Sequence, residues 1–209
     1  MSAPPFDRMT AIALTLLRDD IDTDSIIPSR EITSVGKSGL ADGLFASWRY
    51  TRIGSREPDP MFALNQPRFA GARILLAGRN FGCGSSREHA VWALAEFGFR
   101  AVIAASFNPI FEGNATRNGI VPVTMETATI EAIARGVEAD PQEHRVTVDL
   151  VAQTAGLRGD KMYGFPIGTE ARQMLLGGLD MIDLTLTRLT EIGAFVATDQ
   201  RRRSWAYLK

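Results

Sequence analysis

Cysteine occurs once in this 209-residue chain and histidine twice. A single thiol excludes an internal disulfide and fits a reducing, cytoplasmic setting. Iron–sulfur clusters take several thiolates, so the chain cannot hold one by itself, and two histidines far apart in sequence do not make a structural zinc site. Any metal must therefore come mostly from elsewhere. Long apolar runs are also missing: no stretch reaches transmembrane length. The start, Met1-Ser2-Ala3-Pro4-Pro5-Phe6-Asp7, has no basic region followed by an apolar core, so no signal peptide is expected. Nor does one sign of charge dominate. With 23 Lys and Arg against 24 Asp and Glu, the net charge of -1 argues against nucleic acid or an anionic membrane as the main partner. The one dense cationic run, Arg201-Arg202-Arg203, reads as a solvated tail.

What remains is an ordinary globular composition, 45% hydrophobic and 22% charged. The length suits one generous domain carrying a long excursion. Residues 12–17 read as a strand, followed by an acidic turn, Asp19-Asp20-Ile21-Asp22-Thr23-Asp24. That turn lacks the glycine and distal glutamate of a calcium loop. The plainer reading is side chains satisfying local backbone donors. Residues 34–67 are rich in Gly, Ser, Pro and Arg, with Phe45, Trp48, Tyr50 and Phe62 interspersed. A connection this long is usually functional or mobile. It is expected to pack over a site or a partner, with one or two helical turns at 40–48, its aromatics either forming an interface or folding back on the core.

Beyond it, strands and helices alternate: strand 74–77, helix 86–97 ended by Gly98, strand 101–104, helix 109–118 ended by Gly119, strand 121–123 and helix 129–137. Such alternation predicts an α/β fold with a mostly parallel sheet flanked by helices. Residues 145–150 and 161–165 read as a later β pair, and 169–176 and 190–197 as helices.

The strand-to-helix turn Gly78-Arg79-Asn80-Phe81-Gly82-Cys83-Gly84-Ser85-Ser86-Arg87-Glu88-His89-Ala90 is the most informative stretch. Backbone N–H groups at a helix mouth attract anions, and Arg87 is suited to hold a carboxylate in bidentate fashion. The stretch fails the dinucleotide pattern, because Arg87 stands where the third glycine belongs. It also lacks the P-loop's Gly-Lys-Ser/Thr and the nucleophile elbow's Gly-x-Ser-x-Gly. His89 follows Ser85 by four residues, which makes a Ser–His dyad conceivable, but a ring there points along the helix rather than across its mouth. Cys83 has no evident base beside it, which favours a packing role over a nucleophilic one. The remaining reading is a serine hydroxyl activated by a preorganised field of backbone N–H groups and Arg87. Arg87 could instead clamp a substrate carboxylate, with Ser86 as a further donor. Proton abstraction beside a carboxylate suits this arrangement and needs a Lewis acid opposite. With no ligands for one here, the active site is expected to be shared with another polypeptide. The rival readings are a stand-alone hydrolase using Ser85 or Cys83 and a non-catalytic anion-binding module.

At these residues the chain resembles the small subunits of 3-isopropylmalate dehydratase, the swivelling domain of the aconitase superfamily. The likeness runs through Asp22-Thr23-Asp24-Ser25-Ile26-Ile27-Pro28, Gly43-Leu44-Phe45 with Trp48-Arg49-Tyr50, Asn80 through Ala90, Asn118-Gly119-Ile120-Val121-Pro122-Val123, and 175–184 with Gly178-Leu179-Asp180. The resemblance implies one swivelling domain over 1–209, a three-layer β/β/α fold that closes over a larger subunit. That partner would carry a [4Fe–4S] cluster. The reaction would move a hydroxyl between adjacent carbons of a small hydroxy-dicarboxylate by removing and re-adding water, in leucine biosynthesis. By the same resemblance Ser85 is the base, and Ser86 and Arg87 bind carboxylate and stabilise the alkoxide. Asp24, Arg30 and Gly84 would contact substrate, with Lys37 the alternative to Arg30 as second cation, and Glu88 and His89 would support the site from behind. Two departures stand out. Ser29-Arg30-Glu31-Ile32 places a carboxylate where an apolar residue is usual, and Glu112-Gly113-Asn114-Ala115-Thr116-Arg117 lacks the family's cysteine and paired asparagines. They leave room for a paralogue acting on another substituted malate, such as dimethylmalate or methylmalate.

Overall fold

The computed structural model describes residues 3–32, 36–85 and 87–207. Its strands form two sheets of four, one parallel and one antiparallel. The parallel sheet is built from the alternating part of the sequence. Strands β2 (Ala13–Leu16), β3 (Ile74–Ala77), β4 (Ala101–Ala104) and β5 (Val121–Thr124) lie side by side in that order. β3 and β4 are the inner strands and are buried throughout, which explains their unbroken aliphatic sequences. Pro122 is tolerated because β5 is an edge strand, where a missing N–H breaks no inner ladder.

The antiparallel sheet takes strands from both ends of the chain. Its order is β1 (Arg8–Ala11), β6 (Val146–Asp149), β7 (Thr154–Leu157) and β8 (Tyr163–Gly164). The strand expected at 12–17 is thus the second of two that part at Ile12 and enter different sheets. β1 gives little sequence signal because its polar Arg-Met-Thr-Ala suits a half-exposed edge. The pair expected between 145–150 and 161–165 is separated by β7, whose Thr-Ala-Gly-Leu has weak strand propensity.

Helices connect and cover the sheets: α3 (Glu88–Phe97), α4 (Pro109–Arg117) and α5 (Thr127–Ala139) follow β3, β4 and β5. They come after two single-turn helices, α1 (Thr23–Ile26) and α2 (Ala46–Arg49). α4 begins where Asn108 accepts from the N–H groups of Ile110 and Phe111, with Pro109 in the first turn. α5 packs against β2, β3 and β4 and also against β7, so it touches both sheets. α6 (Thr169–Gly177) lies on α4. Two helices follow, α7 (Met181–Leu186), opened by a capping box between Asp180 and Asp183, and α8 (Leu189–Arg202). α7 lies outside the helices expected from sequence, and α8 runs past both ends of the expected 190–197.

The excursion folds back on the domain. Phe45 is fully buried and stacks on Trp48, and Phe62 meets both rings. These aromatics therefore belong to the chain's own core. Its 3-10 turn at Ala41–Gly43 packs on α3. Glu96 of α3 accepts from the N–H groups of Gly39, Leu40 and Ala41 at 2.7, 2.6 and 2.9 Å. Burial pushes the Glu96 carboxyl up, but these three donors outweigh it and hold it below the usual glutamate range.

Candidate functional site

The glycine-rich turn leaves β3 and is fastened along its length to the acidic segment that leaves β2. At its start, a Cβ on Gly78 would lie 2.5 Å from the Arg18 carbonyl oxygen and 2.4 Å from Asp19 Oδ1, so only glycine admits this crossing. Asp19 then accepts from the Arg79 main-chain N–H at 2.7 Å and from its guanidinium at 3.0 and 2.9 Å. The backbone donor first, and the guanidinium after it, hold the Asp19 carboxyl below its ordinary value. Asp20 and Asn80, both left-handed, face one another, with the Asn80 amide donating to Asp20 at 2.7 Å. Asp22 caps α1 by accepting from Ser25 N–H. Asp24 pairs with Arg87. Each of the four aspartates therefore serves a fixed donor, but only Asp22 serves a local backbone one as the plainer reading expected. The partners of three lie across the fold rather than nearby in sequence. Among the described residues no cluster of three or more His, Cys, Asp or Glu is arranged to hold a metal ion.

Further along, Gly82 N–H donates to the Ile21 carbonyl at 2.8 Å and Thr23 N–H to that of Cys83 at 3.0 Å. The buried Thr23 hydroxyl donates to the Ser85 carbonyl at 2.8 Å. Phe111 of α4 lies beneath: a Cβ on Gly82 would sit 2.1 Å from its ring, and Gly82 has φ +75°. The turn thus has a rigid floor and carries Gly84 and Ser85 outward, both exposed. Arg87, in extended conformation, is the cap residue before α3. The helix begins at Glu88 rather than at 86, with Arg87 extended immediately before it. Ser86 lies outside the described residues.

The structure brings together Ser85, Gly84, Arg87 and Asp24. The Arg87 side chain remains partly exposed, held by a carboxylate that is itself half exposed, so an incoming anion can reach it. Asp24 accordingly meets the Arg87 guanidinium rather than standing free to meet a substrate. Among the described residues Ser85 and His89 share no hydrogen bond, and the His89 ring packs on the edge of Trp92 at 4.7 Å. No Ser–His dyad is assembled. Burial first, then Asp22 and Asp20, push the Cys83 thiol up, away from the thiolate a nucleophile or metal ligand needs.

Arg30 is tied elsewhere. Its guanidinium donates to Ser47 at 3.1 Å and lies 3.5 Å from Glu31. Glu31 itself, nearly buried, pairs with Arg56 at 2.7 Å and lies against Gly43, so the unusual carboxylate has a structural partner. Lys37 lies over the Trp92 ring at 5.2 Å and donates to Asn118 at 3.2 Å. Glu88 accepts from the same asparagine at 2.9 Å. Thr23 and Asn118 carry contacts that sequence reading did not assign to them. Both lie inside family-like segments, 22–28 and 118–123, but neither type signals its partner, because a threonine or asparagine in a turn serves many local bonds.

The aconitase C-terminal domain model matches residues 3–128. The chain belongs to that family. A Cupriavidus necator protein named 3-isopropylmalate dehydratase small subunit is 54% identical, the match spanning 97% of this chain and 98% of the relative. A Chloroflexus aurantiacus protein of the same name is 45% identical over 93% and 95% of the two chains. A solved 3-isopropylmalate dehydratase structure from Methanocaldococcus jannaschii superposes with a TM-score of 0.63 at 29% identity, covering 90% of this chain and 98% of that one. The fold is therefore an aconitase C-terminal domain, with its parallel sheet supplying the turn and its N-terminal acidic segment fixing it.

Proposed function

We propose that this chain is the small, swivelling subunit of a 3-isopropylmalate dehydratase, a hydro-lyase that interconverts 2- and 3-isopropylmalate in leucine biosynthesis. The observation that carries this reading is the likeness to the Cupriavidus necator small subunit over nearly the full length of both chains. Of the two departures that left room for another substituted malate, the Glu31 carboxylate has a partner within the fold in Arg56.

In this reading Arg87 receives a substrate carboxylate, which takes over guanidinium donors now engaged by Asp24. The Ser85 oxygen takes the proton from the carbon beside that carboxylate. The Thr23 bond to its carbonyl holds the residue in place from below. Ser86 is assigned as a further donor to carboxylate or alkoxide, and the Gly84 main chain lines the same edge. Asp24 orients Arg87 and stands at the mouth. Neither candidate for the second cation stands free: Arg30 is turned toward Ser47 and Glu31, and Lys37 toward Asn118 and the Trp92 ring. The family's iron–sulfur cluster does not fit this chain's donor set, which offers one cysteine with its thiol pushed up. We assign the cluster to the larger subunit. No helix among the described residues is long and apolar enough to cross a membrane, and a reducing cytoplasm suits the lone thiol.

Reconstitution tests the reading. The purified chain alone should be inert. Mixed anaerobically with its iron–sulfur partner, it should convert 3-isopropylmalate with a kcat/KM well above those for dimethylmalate and methylmalate. Turnover by the chain alone, or preference for either smaller malate, would overturn it.

A further inference from the structure

The Asn118 side chain joins three parts of the fold that the sequence keeps apart. Its amide nitrogen donates to Glu88 Oε1 at 2.9 Å and to the Asn114 carbonyl at 2.9 Å, and its oxygen accepts from Lys37 Nζ at 3.2 Å. The partners fix the amide's orientation, since a carboxylate can only accept and an ammonium can only donate. Glu88 opens α3 directly after Arg87, Lys37 belongs to the excursion, and Asn118 ends α4. Among the described residues Lys37 has no carboxylate within ion-pair distance. Its charge reaches Glu88 only through the amide.

Besides the Asp19–Arg79 pair at its start, two pairs stand where the turn meets α3, while Glu96 and Arg117 line the same cavity as Lys37 and Asn118. Arg87 is matched by Asp24 directly, and Glu88 by Lys37 through Asn118. If Glu88 lost the Asn118 donor, its carboxylate would be released one residue from the guanidinium that receives an anionic substrate, free to compete for it. Only a side chain that both donates and accepts can sit between a carboxylate and an ammonium. An aspartate, alanine or leucine in its place cannot.

We propose that Asn118 is a positioning residue for the dehydration: it holds Glu88 and Lys37 in a neutral, hydrogen-bonded chain beside Arg87 and so preserves the substrate's carboxylate site. This rests on the assignment of Arg87 as the carboxylate clamp. The backbone cap that Asn118 makes at the end of α4, its N–H donating to the Asn114 and Ala115 carbonyls, is a separate, structural role that any residue can fill.

The decisive experiment uses the reconstituted two-subunit enzyme. Asn118→Asp keeps the size and the backbone cap but sets two carboxylates face to face. It should raise the KM for 3-isopropylmalate about tenfold at neutral pH, with kcat changed less than about threefold. The KM should recover toward acid pH, as the facing carboxylates come to share a proton. Adding Glu88→Gln exchanges amide and carboxylate between the two positions. The amide now donates from α3, the carboxylate at the end of α4 accepts from it and from Lys37, and the Asn114 carbonyl keeps the residue-118 main-chain donor in place of the side-chain one. The double variant should return KM to within about twofold of the unmodified enzyme. An unchanged KM in Asn118→Asp, or a raised KM that Glu88→Gln does not restore, overturns the proposal. Arg87→Lys, measured alongside, tests the underlying assignment separately. If it leaves KM unchanged, the clamp reading fails, whatever the exchange pair does.

Discussion

The segment from Gly78 to Ser85 and the C-terminal stretch through α7 and α8 differ in a way opposite to their secondary structure. The first is almost all turn, yet Asp19, Asp20, Ile21 and Thr23 hold it by main-chain and side-chain bonds, and Phe111 fills the space under Gly82. The second is regular helix, yet α8 buries none of its residues. Eight of the thirteen exposed large apolar residues described lie between Met181 and Trp205. Rigidity in this fold follows from long-range partners, not from helical hydrogen bonds. A loop fixed in that way can hold a reactive hydroxyl in place, as preorganised catalysis requires.

The comparison is tested hardest at Ser85. Because the turn is held from below through its main chain and not through the hydroxyl, Ser85→Ala should leave the fold intact. In the reconstituted enzyme it should lower kcat by about 10²–10⁴-fold, the usual worth of a positioned proton-transfer group. Thermal unfolding of the variant should overlay that of the unmodified chain. A large loss of stability would mean that the hydroxyl is structural. Gly82→Ala reverses the pattern. Its new Cβ would meet the Phe111 ring at 2.1 Å, on a backbone with φ +75°. Overpacking and backbone strain together should cost about 2–4 kcal/mol in denaturant unfolding. Thr23→Val nearly keeps the shape but leaves the Ser85 carbonyl without its 2.8 Å donor. It should cost about 1–2 kcal/mol, and kcat should fall with KM little changed.

A smaller effect should appear at Glu96, which anchors the excursion to α3. Its folded pKa is depressed, so its contribution is fully present above the ordinary glutamate range and is lost as pH falls through the folded value. Glu96→Gln should therefore lower stability at neutral pH and flatten its decline on the acid side. Denaturant midpoints measured across that range would show it, and parallel profiles for the two proteins would refute it.

Much of this fold was legible because its parallel half obeys local rules. Ile74–Ala77 and Ala101–Ala104 are inner strands with aliphatic side chains on both faces, and Gly98 ends α3 in left-handed geometry. The antiparallel half was less legible. β1 is polar, β7 is Thr-Ala-Gly-Leu, and each is a strand only because β6 lies beside it. The site divides in the same way. The Ser85 and Arg87 turn stood out because glycine, hydroxyl and guanidinium fall within a few residues of one another. Asp24 as the partner of Arg87, Glu31 as that of Arg56, and Asn118 between Lys37 and Glu88 are pairings across 63, 25, 81 and 30 positions, which no local pattern encodes.

The least effect is expected where regular structure is greatest. Helix α8 contributes nothing to the buried core, and its main contacts are with the short 3-10 turn at Ser204–Ala206 that follows it. Its local bonds, Arg203 and Tyr207 to Asp199, lie within the same terminal segment and would leave with it. A fourteen-residue helix without a packed face is marginal in water. Ending the chain after Arg188 should therefore shift the thermal midpoint of the isolated protein by less than about 2 °C, with a loss of helical circular dichroism no larger than α8 itself accounts for. The capping box of α7 and the packing of α6 on α4 remain in the shortened chain. A drop of many degrees would show that the terminal helix is bound into the fold as tightly as the turn at Ser85, and the contrast between the two regions would disappear.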